Sequence, residues 1–291
     1  MELIQNDKFY VSNKDIYPPF KNGLYMEEYF LEQIKDNNIK YNKEGRLYIP
    51  VLWTNFQIEK WFKNEKHNMQ EILNKYIENN KCDKGYFTIV QHDDGPLLKL
   101  PHNTIIYGAC SGNIPLPLIY QDINNTLYNK FLKSNKTFKE KSILCSFVGT
   151  NTHNIRNIIN NKFKNNTNFE FRINSNWTPN VNINLQNKFI DLTLNSKFAL
   201  APRGYGRSSF RFFEIFKLGS IPIYVWDDIE WLPYKDKINY NKICISININ
   251  EIDKLENLLL NITENEYNNM LNEYNKIKHM FELDYIYKYI C

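Results

Sequence analysis

Apolar residues along this chain recur in two alternating rhythms, and the switch between them predicts its architecture. Short runs crowded with β-branched and aromatic residues read as strands, and longer runs with apolar residues three and four apart read as helices. KFYV (8–11) predicts a strand and LYMEEYFLEQIKDN (24–37) a helix. RLYIPVL (46–52) predicts the next strand, MQEILNKYIEN (69–79) a helix, and YFTIVQ (86–91) and TIIYGA (104–109) two further strands. GNIPLPLIY (112–120) carries two prolines, which suit a sheet edge or a turn.

The rhythm fades over 130–142, a polar, lysine-rich stretch that reads as a linker, and then restarts. SILCSFVG (142–149), FEFRI (169–173), KFALA (197–201) and IPIYVW (221–226) predict strands. Helices are expected between them, from about Asn154, over LQNKFIDLTLNS (185–196) and over SFRFFEIFKL (209–218). KICISI (242–247) adds a β-rich run, and helical patterns fill 252–261 and much of 264–289. Alternating β and α units on both sides of a linker imply an α/β fold of two Rossmann-like parallel-sheet domains. They would comprise residues 1–141 and 142–291, with the last helix able to cross back to the first domain. Two such domains facing each other hold ligands in the cleft at the C-terminal ends of their strands.

Charge removes several classes of partner. The 36 basic and 32 acidic side chains leave only +4, and the lysines are scattered among asparagines. That pattern is a solvated surface, with neither nucleic acid nor a membrane surface as the expected partner. No apolar stretch approaches the ~20 residues that span a bilayer, and MELIQNDKFYVSNKD lacks a signal-peptide core. The expectation is a cytoplasmic protein with no membrane anchor. The five cysteines are odd in number and far apart, with neither a disulfide framework nor a zinc spacing.

Chemistry concentrates in FALAPRGYGRSSFRFFEIFKLGSIPIYVWDD (198–228). The turn after the strand holds Arg203, Gly204, Gly206 and Arg207, the glycines permitting unusual backbone angles and close approach to a ligand. Ser208 or Ser209 can cap the next helix, whose first N–H groups and positive dipole end attract an anion. Arg211 lies one turn into that helix, and Glu214, three residues on, shares its face. N–H groups, hydroxyls and a forked guanidinium suit a diphosphate, and a carboxylate one turn farther can accept ribose hydroxyls. The same spacing also suits a surface ion pair beside an ordinary capped turn, so the residues alone leave both readings open. No Gly-Lys-Ser/Thr follows the glycines, which excludes a P-loop.

A second cluster, His92, Asp93, Asp94 and Gly95, ends a predicted strand. Gly95-Pro96 would turn the chain away and leave a candidate general base at the rim, or the acids of a solvated Asx-type turn. Asp227 and Asp228 read as structural acids at a turn rather than as metal ligands. Trp53, Tyr107 and Trp177 could stack a sugar ring, but core positions are the expectation for each.

Residues 198–234 resemble the signature of the exostosin-like glycosyltransferases. That signature is a strand ending in Pro-Arg-Gly, then Ser-Phe-Arg-x-x-Glu, a Gly-containing break, an Ile-Pro-type strand and a Trp-x-Leu-Pro-like tail, echoed by Trp231-Leu232-Pro233-Tyr234. ILCSFVGTNTHNIRNII (143–159) is similar to the family's strand ending in Phe-x-Gly and its Arg-initiated helix. YFTIVQHDDG (86–95) resembles a strand ending in His-Asp-x-Gly of the plant xylan-making branch, and RLYIPVL an early core strand.

The resemblance implies a GT-B enzyme that inverts at the sugar carbon, uses UDP-sugar donors and needs neither cofactor nor metal. It implies that Arg211 holds the diphosphate and Glu214 the ribose, with Ser208, Ser209 and the Arg203–Gly206 turn completing the pocket. Arg156, after Gly149, would add a second positive contact. The acceptor would be a hydroxyl of a glycan or glycoprotein, its proton taken by Asp93, Asp94 or His92, in that order. Hexosyl and pentosyl transfer both fit, and xylose rests on the His-Asp-x-Gly resemblance alone. Family members in animals and plants usually carry a Golgi anchor, so a short chain without one suggests a microbial or virus-encoded enzyme, or an excised part of a longer protein. A non-catalytic carbohydrate- or nucleotide-sugar-binding protein of the same fold is the alternative, against which the retained Arg211 and Glu214 argue. A sulfotransferase would need a Gly-Lys phosphosulfate loop, which YVSNKDIYPPF does not supply.

Overall fold

Four parallel strands in the order β1-β2-β3-β4 form the sheet of the first of two units in the computed structural model, which describes residues 2–13 and 17–291. Lys14, Asp15 and Ile16 of YVSNKDIYPPF lie outside the described residues. This unit takes the described residues of 1–14 together with 24–121 and 280–291. Its elements run α1 (Met26–Asp36), β1 (Leu47–Tyr48), α2 (Trp53–Gln57), α3 (Phe62–Asn79), β2 (Tyr86–Val90), β3 (Thr104–Gly108) and β4 (Ile114–Pro115). Every residue of β2 is buried, as a strand covered on both faces requires. Tyr86 and Val90 join a core with Ile49, Val51, Trp53, Phe56 and Met69. On the alternate face Phe87 meets Phe30 edge-on at 6.3 Å and Tyr48 at 5.1 Å.

Two expectations change here. KFYV is not a strand: Asp7–Tyr10 is a 3₁₀ turn, because the Asn6 side chain accepts from the Lys8 N–H and starts a helical turn. Phe9 is then buried against Phe56. β1 is far shorter than RLYIPVL, since Pro50 brings no N–H to the ladder after Ile49 donates to Phe87 O. β4, with its proline, is the edge strand expected.

The second unit holds the described residues of 15–23 and 122–279. It begins with α4 (Thr126–Ser134), then β5 (Ile143–Thr150), α5 (Asn154–Phe163), β6 (Phe169–Asn174), α6 (Ile183–Asn195), β7 (Ser196–Pro202), α7 (Phe210–Lys217), β8 (Ile221–Trp226) and β9 (Ile245–Asn248). Helices α8 (Leu255–Asn261) and α9 (Glu264–Ile277) follow, and α10 (Leu283–Ile290) returns to the first unit against α1. The units divide at Gln121/Asp122, ahead of the expected linker. Part of that stretch is α4, whose first turn is held by Asp122 accepting from Thr126 and whose Leu127 is fully buried. Gly219, in the left-handed region at φ +67°, lets α7 end against α4, where a Cβ would run into the Phe131 ring.

The five strands of this unit are all parallel, in the order β6-β5-β7-β8-β9. The direction of winding reverses between β5 and β7. A doubly wound sheet opens its ligand crevice beyond the C-terminal ends of the strands at that reversal. Phe147, Phe198, Leu200, Ile223 and Val225 fill the core beneath it. The two parallel-sheet units are those of a GT-B-like fold. Among the described residues, no helix is long and apolar enough to cross a membrane.

Candidate functional site

The β7–α7 connection carries the predicted loop. Arg203 N–H donates to Val225 O at 3.1 Å, extending the ladder with β8 by one residue past Pro202. Gly204 N–H reaches Ser208 O at 3.5 Å and closes the loop. Ser209 is the cap: its backbone is extended (φ −149°, ψ 134°) and its hydroxyl accepts from Arg211 N–H at 3.3 Å. Ser208 is therefore a loop residue rather than the cap. Neither Gly204 nor Gly206 is among the described glycines with a left-handed φ, so the loop does not need them for backbone freedom. A Cβ on Gly204 would lie 3.5 Å from both Arg156 Nη2 and Thr152 Oγ1, an ordinary contact.

Arg211 is fixed from three sides. Its Nη1 pairs with the Glu214 carboxylate, its Nε donates to Val148 O at 3.3 Å, and its guanidinium rests 3.9 Å from the Phe189 ring centroid. Glu214 is only 2% exposed, a burial that a carboxylate tolerates when paired and hydrogen-bonded. Val148 belongs to β5 and Arg211 follows β7, so this pair stands at the reversal of strand order.

Arg156 is bound to the backbone. It donates to Thr150 O (2.6 Å), Pro202 O (3.1 Å) and Arg203 O (3.1 Å), tying the exits of β5 and β7 together. Its guanidinium lies 5.5 Å from the Phe147 ring centroid. Gly149 makes room for that ring, because a Cβ there would be 2.6 Å from Phe147 Cζ. Arg203 and Arg207 are paired with acids. Arg203 Nη1 reaches Asp227 and Asp228 at 2.8 Å each, and Arg207 Nε reaches Asp228 at 2.7 Å. Burial, the largest influence on Asp228, pulls its pKa upward, but the Ile229 N–H and the two arginines outweigh it and bring it to about 2. His153, 3.7 Å from Asp227, caps α5 and titrates below the usual histidine value through burial and the Arg203 charge.

One neighbour of this cluster was not legible beforehand. Tyr17 packs edge-on against Trp177 (5.4 Å) and Phe210 (5.9 Å), and Phe20 lies 5.9 Å from Phe189. The only hint in the sequence is the Tyr-Pro-Pro-Phe stretch itself, a short rigid segment with an aromatic at each end. Trp177 is 53% exposed, whereas Trp53 and Tyr107 are core.

His92, Asp93 and Asp94 lie in the first unit, where β2 ends. Gly95 takes φ +74° and its N–H bonds His92 O at 3.0 Å, forming the expected turn with both acids exposed. Gln57 brackets it, donating to Gly95 O at 2.9 Å and accepting from Leu97 N–H at 2.6 Å. The buried Glu27 carboxylate accepts from Gln91 N–H at 2.6 Å and from Thr54, anchoring the strand end. His92 Nδ1 accepts from Asp94 N–H at 3.2 Å, so the neutral ring carries its proton on Nε2. Burial holds His92 below the usual histidine pKa, with Asp93 and Asp94 opposing.

The second unit thus carries Gly149, Arg156, Arg203, Gly204, Gly206, Ser208, Ser209, Arg211 and Glu214 on and around the exits of β5 and β7. Comparison with known sequences bears on the family. Two Arabidopsis thaliana proteins, each named a probable glycosyltransferase, are similar to this chain: one is 27% identical over 90 residues, the other 26% over 96. The matches cover 31% and 33% of this chain, but span only 19% and 18% of those relatives. The exostosin GT47 domain profile matches residues 114–262, just over half of the 291 residues and all of the β5–α8 region. Carrying the Arg211–Glu214 pair inside that match, the chain belongs to the exostosin GT47 family.

Proposed function

We propose that this chain is an inverting glycosyltransferase that moves a sugar from a UDP-sugar to a hydroxyl of a glycan acceptor. The observation that carries this reading is the Arg211–Glu214 pair at the capped start of α7, where the strand order reverses, within the family match. The guanidinium and the helix start bring positive charge to a diphosphate without requiring a metal ion. The Glu214 carboxylate, with about four acceptor positions, can hold Arg211 and still accept from ribose hydroxyls.

In the reaction, the acceptor hydroxyl gives its proton to a base and its oxygen bonds to the anomeric carbon. The bond from that carbon to the diphosphate breaks, and the electron pair leaves with UDP, whose growing charge Arg211 stabilises. Attack opposite the leaving group inverts the carbon. Asp93 is the first choice of base, followed by Asp94. His92 ranks behind them because its Nδ1 is occupied by Asp94 N–H. UDP-xylose is the first donor to test, on the His-Asp-x-Gly resemblance. The experiment is to follow UDP release from a panel of UDP-sugars with and without glycan acceptors. Acceptor-dependent release supports transfer, whereas UDP binding without turnover on any acceptor would favour a binding protein.

A further inference from the structure

We infer that Trp177 is a stacking platform for a neutral sugar ring, a carbohydrate-binding position beside the Arg211–Glu214 pocket. The choice of ligand rests on the glycosyltransferase reading of that pocket. Of the three aromatics that the sequence offered for sugar stacking, Trp53 and Tyr107 are buried in the first unit, and Trp177 alone of them reaches solvent, at 53% exposure. Topology sets its place. The loop of residues 175–182 leaves the C-terminal end of β6 and leads to α6, and β6 lies directly beside β5 in the sheet. The crevice at the reversal of strand order opens at that same end of the sheet.

A single exposed tryptophan, loosely held, would need no explanation. Trp177 is held firmly. Its ring meets Tyr17 edge-on at 5.4 Å, and its indole N–H donates to the Tyr17 hydroxyl. Tyr17 in turn meets Phe210, the first residue of α7, at 5.9 Å. One ring therefore separates Trp177 from the helix start that carries Ser209 and Arg211. With its N–H bonded inward, the indole offers solvent an apolar face of fixed orientation, so little ordering remains to be done when a ligand covers it.

The surrounding chain suits an uncharged polar ligand. No residue from Asn174 to Asn187 carries a charge, in a protein where 23% of residues do. Ser175, Asn176, Thr178 and Asn180 flank the indole in sequence, all exposed. Hydroxyls and amides both donate and accept, as the hydroxyls of a sugar require, while the C–H face of the sugar ring covers the indole. An anionic ligand would call for the lysines and arginines that this loop lacks.

The test is acrylamide quenching of tryptophan fluorescence and calorimetric titration of the full chain, with UDP, UDP-xylose, UDP-glucose, xylohexaose and cellohexaose as probes. Wild type is compared with Trp177→Ala and Trp177→Phe, with thermal unfolding of each unliganded protein. At least one of the sugar-bearing probes should shield wild type from acrylamide beyond any effect of UDP. Trp177→Ala should weaken that probe about threefold to tenfold, as for one lost ring contact, with UDP affinity unchanged. Trp177→Phe, which keeps a smaller ring and the packing on Tyr17, should fall between at an unfolding midpoint matching wild type. Loss confined to the UDP-sugars would put the donor's sugar on the indole, and loss confined to the oligosaccharides would put the acceptor there. Shielding by none of the sugar-bearing probes, or sugar affinity unchanged in Trp177→Ala, would overturn the platform. An equal loss for UDP and the UDP-sugars would overturn it as well, by making Trp177 a support of the pocket. Sugar shielding without UDP binding by the wild type would overturn the nucleotide reading alone.

Discussion

Arg211 and Glu214, one turn apart on α7, form a buried ion pair whose guanidinium also stacks on Phe189 and bonds a β5 carbonyl. A pair so enclosed is poorly placed to be mere surface decoration. Exposed pairs of this spacing contribute only ~0.2–0.5 kcal/mol. Arg211→Ala should weaken UDP binding by ~1.5–3 kcal/mol, the range for a hydrogen bond to a charged group. Lys217→Ala on the same helix should change it little. Because Arg211→Ala also strands a buried carboxylate, its unfolding midpoint should fall, which Lys217→Ala should not reproduce. Calorimetry and thermal unfolding of the two variants check both effects.

Arg156 differs in kind. Its bonds to Thr150, Pro202 and Arg203 carbonyls make it a clamp on the pocket's frame. Arg156→Ala should cost stability, about 1–3 kcal/mol for each carbonyl left buried and unsatisfied, and Arg156→Lys should restore little because the fork is lost. Denaturant titration reads the effect. A variant of wild-type stability that fails to bind UDP would instead make Arg156 a direct phosphate contact.

Lys141 gives the fold a signature in pH. The residue is 3% exposed, its Nζ donates to Leu194 O (3.0 Å) and Ser220 Oγ (2.9 Å), and burial lowers its pKa from 10.5 to about 7, helped by Lys136. Between those values the unfolded chain holds a proton that the folded chain has released. Stability should therefore rise with pH across that window through this group, and the burden is fully present below about 7. Lys141→Met should flatten the dependence, as measured by chemical denaturation at stepped pH. An unchanged slope would mean that Lys141 stays charged in the fold.

Catalysis and donor binding should separate by residue. Asp93→Asn keeps the shape of the turn that Gly95 closes and removes only basicity. It should lower kcat by about 10²-fold or more with UDP affinity unchanged, whereas Glu214→Ala should mainly cost affinity. Full turnover in Asp93→Asn, Asp94→Asn and His92→Ala alike would place the base elsewhere.

The legible parts of this chain were those whose chemistry is local. Helix α7 announces itself through Pro202 ahead of it, the Ser209 cap at its start and the left-handed Gly219 at its end. The alternation around β5 and β8 follows from strands whose central residues are buried in a parallel sheet. α4 was hidden because it is short and bracketed by Asn125 and Asn135, both in the left-handed region, in a chain where asparagine is too common to mark a boundary. The pairing of Arg203 and Arg207 with Asp227 and Asp228 joins the ends of two neighbouring strands. The loop alone therefore showed cations where the fold supplies salt bridges. Tyr17 is the extreme case, since only the tertiary fold brings it to Phe210 and Arg211.

On the proposed reading, Arg211, Glu214 and the start of α7 form a diphosphate site that supplies its own positive charge. The most direct measurement is isothermal titration of the purified chain with UDP, in buffer containing EDTA and again with added magnesium or manganese. Saturable binding with the same affinity is expected in all three. Absence of binding throughout, or binding that EDTA abolishes and a divalent cation restores, would contradict it.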